Sequence, residues 1–287
     1  MIINKMEDGM KDKLLIVIHI PKAGGETLRQ IVRRQFRDKN FFSLNGIEGG
    51  LVTKTEYVKN FPQAEKDDIR CIMGHMPFGL HQYFSRPCEY ITMLRHPIQR
   101  VISLYYYILR NPIHPLHNTI LSSHITLEDF VQSQIDPGIE NEQVRLISGI
   151  NALESLGGKV LTDNHLIAAK KNIDGYFPAV GLTERFDDSV LLFAKIFRWK
   201  YIFYRKQNIN RYAKREVSSS VIQAIEKRNL LDLELYDYAK NKFEENLKMH
   251  EVSLSKCKLG LFRLFNNFYG KTVMAKRSLR SLLKKLI

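Results

Sequence analysis

The stretch "LLIVIHIPKAGGETLRQ", Leu14 to Gln30, joins an apolar run to the start of a helical pattern through a turn with one lysine and two glycines. The run Leu14 to Ile20 is typical of a buried strand. Glycines let the backbone approach a ligand closely, and the unpaired N–H groups at a helix start attract negative charge. The stretch therefore predicts an anion site between a strand and a helix.

Further apolar runs, each ending in a polar or glycine-containing loop, alternate with helical patterns along the chain. The predicted strands are Leu14 to Ile20, Ile69 to Gly74, Tyr90 to Leu94 and Ala179 to Leu182. The predicted helices are Thr27 to Phe36, Pro97 to Leu109, Leu127 to Gln134, Glu140 to Ser148, Asp163 to Lys171 and Asp187 to Phe197. This alternation predicts an α/β fold with a mostly parallel sheet, whose ligands bind beyond the carboxyl ends of the strands. The segment Asn111 to His124 is expected to be a long loop.

The chain has 287 residues, of which 44% are hydrophobic, and a formal net charge of +14. This length favours one domain over residues 1–250, followed by a basic amphipathic appendage over residues 251–287. The charge indicates an anionic partner, such as a nucleotide, an acidic glycan, nucleic acid or an anionic membrane. We expect the appendage to pack on the core or to be disordered, and peripheral membrane contact is the alternative.

The three cysteines, Cys71, Cys88 and Cys257, show neither paired spacing nor the spacing of a zinc site. A reducing compartment fits this pattern best. The N-terminal segment carries acidic residues and lacks a long apolar region, and no apolar run reaches the roughly 18 residues that span a bilayer. These features predict a cytoplasmic location.

A second candidate anion site follows the third predicted strand, in "EYITMLRHPIQRVISLYYYILR", Glu89 to Arg110. Arg95 ends the strand, Pro97 suits the first position of a helix, and Ser103 follows Arg95 by eight residues. An arginine can donate two parallel hydrogen bonds to a phosphate. Two anion sites at neighbouring strand ends suit a ligand that is phosphorylated at both ends.

The consecutive tyrosines Tyr105, Tyr106 and Tyr107 of this helix cannot share one face. We expect them to divide between the core and a binding cleft.

The motifs "IPKAGGETL" and "LRHPIQRVISLYYYI" resemble the two nucleotide-binding motifs of sulfotransferases that use 3′-phosphoadenosine 5′-phosphosulfate (PAPS). The similarity is greatest to the branch of heparan sulfate 2-O-sulfotransferase and its bacterial relatives. Three more stretches resemble this branch: "MGHMPFG", "ENEQVRLISG" and "VGLTERFDDSVLLF". The resemblance extends from about Leu14 to about Phe243 and implies a P-loop-type three-layer fold with a central, mostly parallel sheet.

The resemblance also implies roles for individual residues. Lys22 would bind the 5′-phosphosulfate and act in catalysis, Arg95 and Ser103 would bind the 3′-phosphate, and His75 would be the general base, with His81 and His114 as the next candidates. The other residues implied in nucleotide binding are Ala23, Gly24, Gly25, Glu26, Thr27 and Leu28. Ala23 and Glu26 occupy positions where relatives often have hydroxyl side chains. No metal is implied, and the acceptor would be a hydroxyl of a glycan or glycolipid.

Two other classes of protein remain possible on the residues alone. A P-loop kinase-like phosphotransferase would have its lysine after the glycines, whereas Lys22 precedes Gly24 and Gly25. A non-catalytic binder of acidic glycans or nucleic acid would need only basic charge. No nucleic-acid-binding module is recognisable, so we expect no nucleic-acid partner.

Overall fold

The computed structural model describes residues 13–44, 51–150, 160–205, 217–252 and 259–272. Its sheet has five parallel strands in the order β2-β3-β1-β4-β5. The strands are β1 (Leu14–Ile18), β2 (Phe41–Ser43), β3 (Cys71–Gly74), β4 (Cys88–Leu94) and β5 (Ala179–Leu182). The prediction of a mostly parallel α/β fold is confirmed.

Twelve helices are described besides short 3₁₀ turns. The first six are α1 (Gly25–Arg33), α2 (Leu51–Lys59), α3 (Gln63–Asp68), α4 (Pro97–Arg110), α5 (His117–Ser122) and α6 (Leu127–Gln132). The next five are α7 (Glu142–Ser148), α8 (Asp163–Tyr176), α9 (Phe186–Phe197), α10 (Ser219–Arg228) and α11 (Leu230–Met249). The last, α12, covers residues 259–272.

The central strand β1 is where the chain changes direction across the sheet. From β1 the chain passes to β2 and β3 on one side and then to β4 and β5 on the other. Parallel crossovers are right-handed, so crossovers in opposite directions place their helices on opposite faces. The sheet is thus the middle of three layers, and the carboxyl end of β1 is the expected ligand site.

Helices cover both faces of the sheet, which explains why every residue of β1 is apolar. All five of its residues are buried, as expected for a parallel strand without a solvent-facing side. The one polar residue in the centre of β4, Thr92, is also buried, and its hydroxyl donates to the carbonyl oxygen of Ile18 at 2.8 Å. This bond adds a side-chain link between the last residue of β1 and β4.

The segment Asn111 to His124 is not one long loop, because its second half forms α5. Apolar Ile120 of this helix is buried against α4, which gives the short helix a docked face. The predicted helix start at Glu140 moves to Glu142, where the buried Asp232 accepts hydrogen bonds from the amides of Gln143 and Val144.

The predicted domain boundary at residue 250 falls directly after α11. Part of the predicted appendage, residues 259–272, is helical, whereas residues 253–258 and 273–287 lie outside the described ranges. The division into domain and appendage stays a prediction. Within the described ranges, no helix is both long enough and apolar enough to cross a membrane.

Candidate active site

The turn between β1 and α1 has an unusual backbone that exposes amide groups. Gly24 precedes the helix with φ of 80°, and Lys22 also has a positive φ of 67°. A Cβ on Gly24 would lie 3.1 Å from the Phe186 ring, so both conformation and space favour glycine. Among the described residues, no backbone carbonyl accepts from the amides of Gly24, Gly25 or Glu26. These three N–H groups lie at the start of α1, the arrangement that favours anions at helix N-termini, and their contact with an anion stays a prediction.

The other amides of the predicted nucleotide loop are already bonded. Ala23 donates to the carbonyl of Ile20, and both Thr27 and Leu28 donate to the carbonyl of Gly24. The side chains of Ala23 and Leu28 belong to the hydrophobic core. Any contact of these three residues with a nucleotide stays a prediction.

Gly25 lies directly against the imidazole of His19. A Cβ at Gly25 would lie 1.8 Å from His19 Cδ2, far inside van der Waals contact. The imidazole is buried, and its Nδ1 has no hydrogen-bond partner in the described part of the chain. Burial lowers the pKa of His19 well below its ordinary value, with the nearby His75, Arg29 and Lys22 adding to the effect. A neutral His19 imidazole therefore packs against Gly25 in the turn between β1 and α1.

His75 follows β3 and lies beside this turn, as predicted. Its Nδ1 is 2.7 Å from the carbonyl oxygen of His19. A carbonyl oxygen can only accept, so in the neutral ring Nδ1 carries the proton and Nε2 has the lone pair. The two imidazole rings also stack, with centroids 4.3 Å apart. The backbone of one strand end thus sets the tautomer that a general base needs.

Lys22 is a partly buried cation in a crowded positive environment. Its Nζ lies 3.6 Å from the centroid of the Tyr107 ring, a cation–π contact. Burial lowers its pKa to about 8, and Arg110 and Arg95 contribute, while Glu26 acts in the opposite direction. An anion bound here would relieve this repulsion, which makes the site suitable for phosphate or sulfate groups.

Arg95 directly follows β4, and its side chain forms a hydrogen bond to the turn between β1 and α1. Its Nη1 donates to the carbonyl oxygen of Lys22 at 3.0 Å, and its backbone amide donates to Gln143 Oε1 at 3.0 Å. The Gln143 side chain is buried and also interacts with the buried Asp232 carboxylate, so Asp232 orients the amide group that binds the Arg95 backbone. Ser103 is buried in the second turn of α4. The structure brings Lys22 and Arg95 together, and the contact of Ser103 with a 3′-phosphate stays a prediction.

A cavity of about 320 Å³ opens in front of Lys22 and His75. Its polar lining includes Lys22, Glu26, His75, His114, Asp136 and Glu142. The cavity is large enough for one sugar-sized group beside the two predicted catalytic residues. As expected for consecutive helical positions, Tyr107 lines it, whereas Tyr105 and Tyr106 are buried.

The two alternative base candidates have different surroundings. His114 lines the same cavity as His75, and burial lowers its pKa. His81 lies in an aromatic cluster, where its Nδ1 is 3.0 Å from the Tyr90 hydroxyl and its ring packs on Tyr176 at 4.5 Å. Of the two alternatives, His114 is therefore placed to reach a group in the cavity.

Asp136 and Glu142 are cavity residues to which the sequence assigned no role. Glu142 forms a 2.9 Å ion pair with Arg145, and burial raises its pKa. The motif "ENEQVRLISG" contains Glu142, but only the folded position of α7 brings this carboxyl group to the cavity.

Among the described residues, no group of three or more His, Cys, Asp or Glu side chains could hold a metal ion.

This chain is similar to known proteins of one family. The model of the family described as "Sulfotransferase family" matches residues 10–158. Heparan-sulfate 6-O-sulfotransferase 1 of Cricetulus griseus is 28% identical, with 82% of this chain and 68% of the relative covered. The Mus musculus enzyme of the same name is also 28% identical, with 82% and 66% covered. This chain thus spans about two thirds of their length.

Heparan-sulfate 6-O-sulfotransferase 2 of Gallus gallus is 30% identical over 55% of this chain and 45% of the relative. These relatives are named for the 6-O position, so the expected 2-O branch was wrong. A solved structure, mouse sulfotransferase SULT7A1 complexed with PAP, aligns with a TM-score of 0.37 and 14% identity. The alignment covers 78% of this chain and 68% of that structure.

Proposed function

The chain belongs to the sulfotransferase family, and we propose that it transfers a sulfuryl group from PAPS to a hydroxyl group of a carbohydrate. One observation carries this proposal: Lys22, Arg95 and His75 meet at the carboxyl ends of neighbouring parallel strands. The Arg95 guanidinium donates to the backbone carbonyl oxygen of Lys22 at 3.0 Å, and Nδ1 of His75 lies 2.7 Å from the carbonyl oxygen of His19. The names of the curated relatives support a carbohydrate acceptor.

The residues at the β1 and β4 ends fit the two ends of PAPS. When bound, PAPS supplies a sulfuryl group attached to a phosphate leaving group. Lys22 and the amides of Gly24, Gly25 and Glu26 offer donors for the 5′ end. Arg95 offers its guanidinium to the 3′-phosphate, and we assign Ser103 to the same group on its motif.

His75 acts as the general base in this proposal. Its Nε2 accepts the proton of the acceptor hydroxyl while Nδ1 continues to donate to the carbonyl oxygen of His19. That bond strengthens as the ring becomes an imidazolium, because charge-assisted hydrogen bonds are stronger. Lys22 stabilises negative charge on the leaving oxygen in the transition state.

The acceptor cavity carries acidic side chains despite the net charge of +14. Glu26 and Asp136 line it beside His75, whereas the third carboxyl group, that of Glu142, is paired with Arg145. A carboxylate or sulfate on the reacting sugar ring would meet these groups at short range, which costs binding energy. We propose that the ring inside the cavity is neutral or amino-bearing, and the relatives' names make a 6-hydroxyl the first position to test.

Nucleotide selectivity tests the proposed function. We expect adenosine 3′,5′-bisphosphate to bind far more tightly than adenosine 5′-phosphate, because Arg95 is available for the 3′-phosphate. Arg95→Ala should reduce this preference by roughly 2 to 4 kcal/mol, as for loss of a charge-assisted contact. Isothermal titration calorimetry measures both affinities, and Arg33→Ala, at the exposed end of α1, is the matched control.

Equal affinities for the two nucleotides would contradict the proposal. Tighter binding of ATP with magnesium would favour a kinase-like phosphotransferase. Binding of heparin with no response to either nucleotide would favour a non-catalytic binder of acidic glycans.

The pH dependence of nucleotide binding tests the role of Lys22. Its pKa of about 8 in the free protein means that it is charged below this pH and neutral above it. Affinity for adenosine 3′,5′-bisphosphate should therefore decline as the pH rises through about 8, because only the ammonium form attracts phosphate. In Lys22→Met, binding should be weak at every pH and should lose this decline. An unchanged pH profile in Lys22→Met, measured by calorimetry, would assign the decline to another group.

A further inference from the structure

Helix α12 carries a stripe of exposed apolar side chains. Leu261, Leu264, Phe265 and Phe268 are 49%, 65%, 57% and 68% exposed, respectively. Their spacing of three, four and seven residues places them on one face of the helix. Single exposed apolar residues are ordinary, but a contiguous group indicates a surface that contacts another apolar phase. We refer to these four residues as the α12 stripe.

The opposite side of α12 holds the helix on the body of the protein. Phe262 stacks on Phe203 with centroids 5.6 Å apart, and Asn266 Oδ1 accepts from the amide of Tyr204 at 2.6 Å. The hydroxyl of Tyr269 accepts from Arg34 at 2.9 Å. The helix is thus already docked through one face. Within the stripe, the Phe265 ring also contacts the body, with its centroid 6.3 Å from that of Phe203, while Leu261, Leu264 and Phe268 stay exposed.

The chemistry around the α12 stripe identifies its partner. From Leu259 to Ile287 the sequence contains lysines and arginines but no aspartate or glutamate. An acidic glycan or nucleic acid would match this charge, yet neither offers an apolar phase to four large side chains. An anionic bilayer offers both, because basic residues attract its headgroups and apolar side chains enter the boundary below them.

We propose that the α12 stripe is a docking surface for an anionic lipid bilayer. The helix contacts the end of α1 through Arg34 and the start of α9 through the ion pair of Arg263 with Asp187 at 2.9 Å. Lys22 and His75, which line the acceptor cavity, are not part of this surface.

Sedimentation of the full chain with lipid vesicles tests this proposal. We expect binding to vesicles of equimolar phosphatidylcholine and phosphatidylglycerol, weaker binding at high salt, and little binding to phosphatidylcholine alone. The double variant Leu264→Gln and Phe268→Gln should bind the anionic vesicles about tenfold more weakly or worse. The matched control, Val160→Gln with Ile167→Gln, changes two side chains that are 72% and 62% exposed elsewhere and should bind like the wild type.

Three results would overturn the proposal. The first is a wild-type chain that does not bind the anionic vesicles. The second is equal binding by the wild type and the stripe variant, with thermal unfolding confirming that both are folded. The third is a wild-type dimer in sedimentation velocity that the stripe variant converts to monomer, because the α12 stripe would then be an interface with a second copy of this chain.

Discussion

Replacing His75 with alanine is expected to reduce sulfuryl transfer by about 100-fold or more, because the acceptor hydroxyl loses its general base. Affinity for adenosine 3′,5′-bisphosphate should stay close to that of the wild type, since we place the nucleotide on Lys22, Arg95 and the start of α1. His75→Asn should be equally impaired: its amide can still donate to the His19 carbonyl but cannot take up a proton at the position of Nε2. Steady-state turnover and calorimetric binding measure the two effects separately.

His114→Ala is the matched control, because His114 lines the same cavity as His75. This variant should retain most of the turnover. If His114→Ala is inactive while a folded His75→Ala variant works near the normal rate, the base is His114.

Substituting Gly25 with alanine should weaken binding of adenosine 3′,5′-bisphosphate by about 100-fold. A loss of this size is expected when the groups that bind a ligand are displaced by about 1 Å. The new Cβ would lie 1.8 Å from His19 Cδ2. The imidazole is buried and stacks on His75, so it cannot swing away freely. The start of α1 must shift instead, which displaces the amides of Gly25 and Glu26 from the phosphate position.

A second substitution separates this cause from a general loss of stability. In Gly25→Ala with His19→Ala, the imidazole is gone, and affinity should recover relative to Gly25→Ala alone. Gly175→Ala is the control in α8, because a Cβ there meets nothing within 4 Å. It should leave nucleotide binding unchanged and stabilise the helix by up to about 1 kcal/mol. A double variant that binds no better than Gly25→Ala would refute the steric explanation.

The fold was predictable where strands are buried on both faces. Ala179–Leu182 is a strand with the predicted bounds, and β1 starts at the predicted Leu14. The strand β2, Phe41–Ser43, was missed because it has only three residues and ends at the polar Ser43, which is too short a run to indicate a strand by its apolar pattern. Helix α5 was missed because its segment is rich in residues typical of loops, and burial of Ile120 outweighs that local preference.

Within the candidate site, sequence motifs indicated Lys22, His75 and Arg95 but not the contacts among them. The bond from His75 to the His19 carbonyl joins positions 56 residues apart, and the bond from Arg95 to the Lys22 carbonyl spans 73 residues. Such contacts depend on which strands become neighbours. The contact of Gly25 with His19 and the position of Glu142 at the cavity were hidden for the same reason, because tertiary packing determines what lies beside each of them.

The most direct test of the central claim is to incubate the wild-type protein with PAPS and a heparan glycan that lacks 6-O-sulfate, and to measure both products by mass spectrometry. We expect one equivalent of adenosine 3′,5′-bisphosphate for each sulfate ester formed, and almost none of either product with His75→Ala. Absence of sulfate ester with this glycan and with neutral and amino-sugar glycans, under conditions in which the protein is folded and binds the nucleotide, would contradict it.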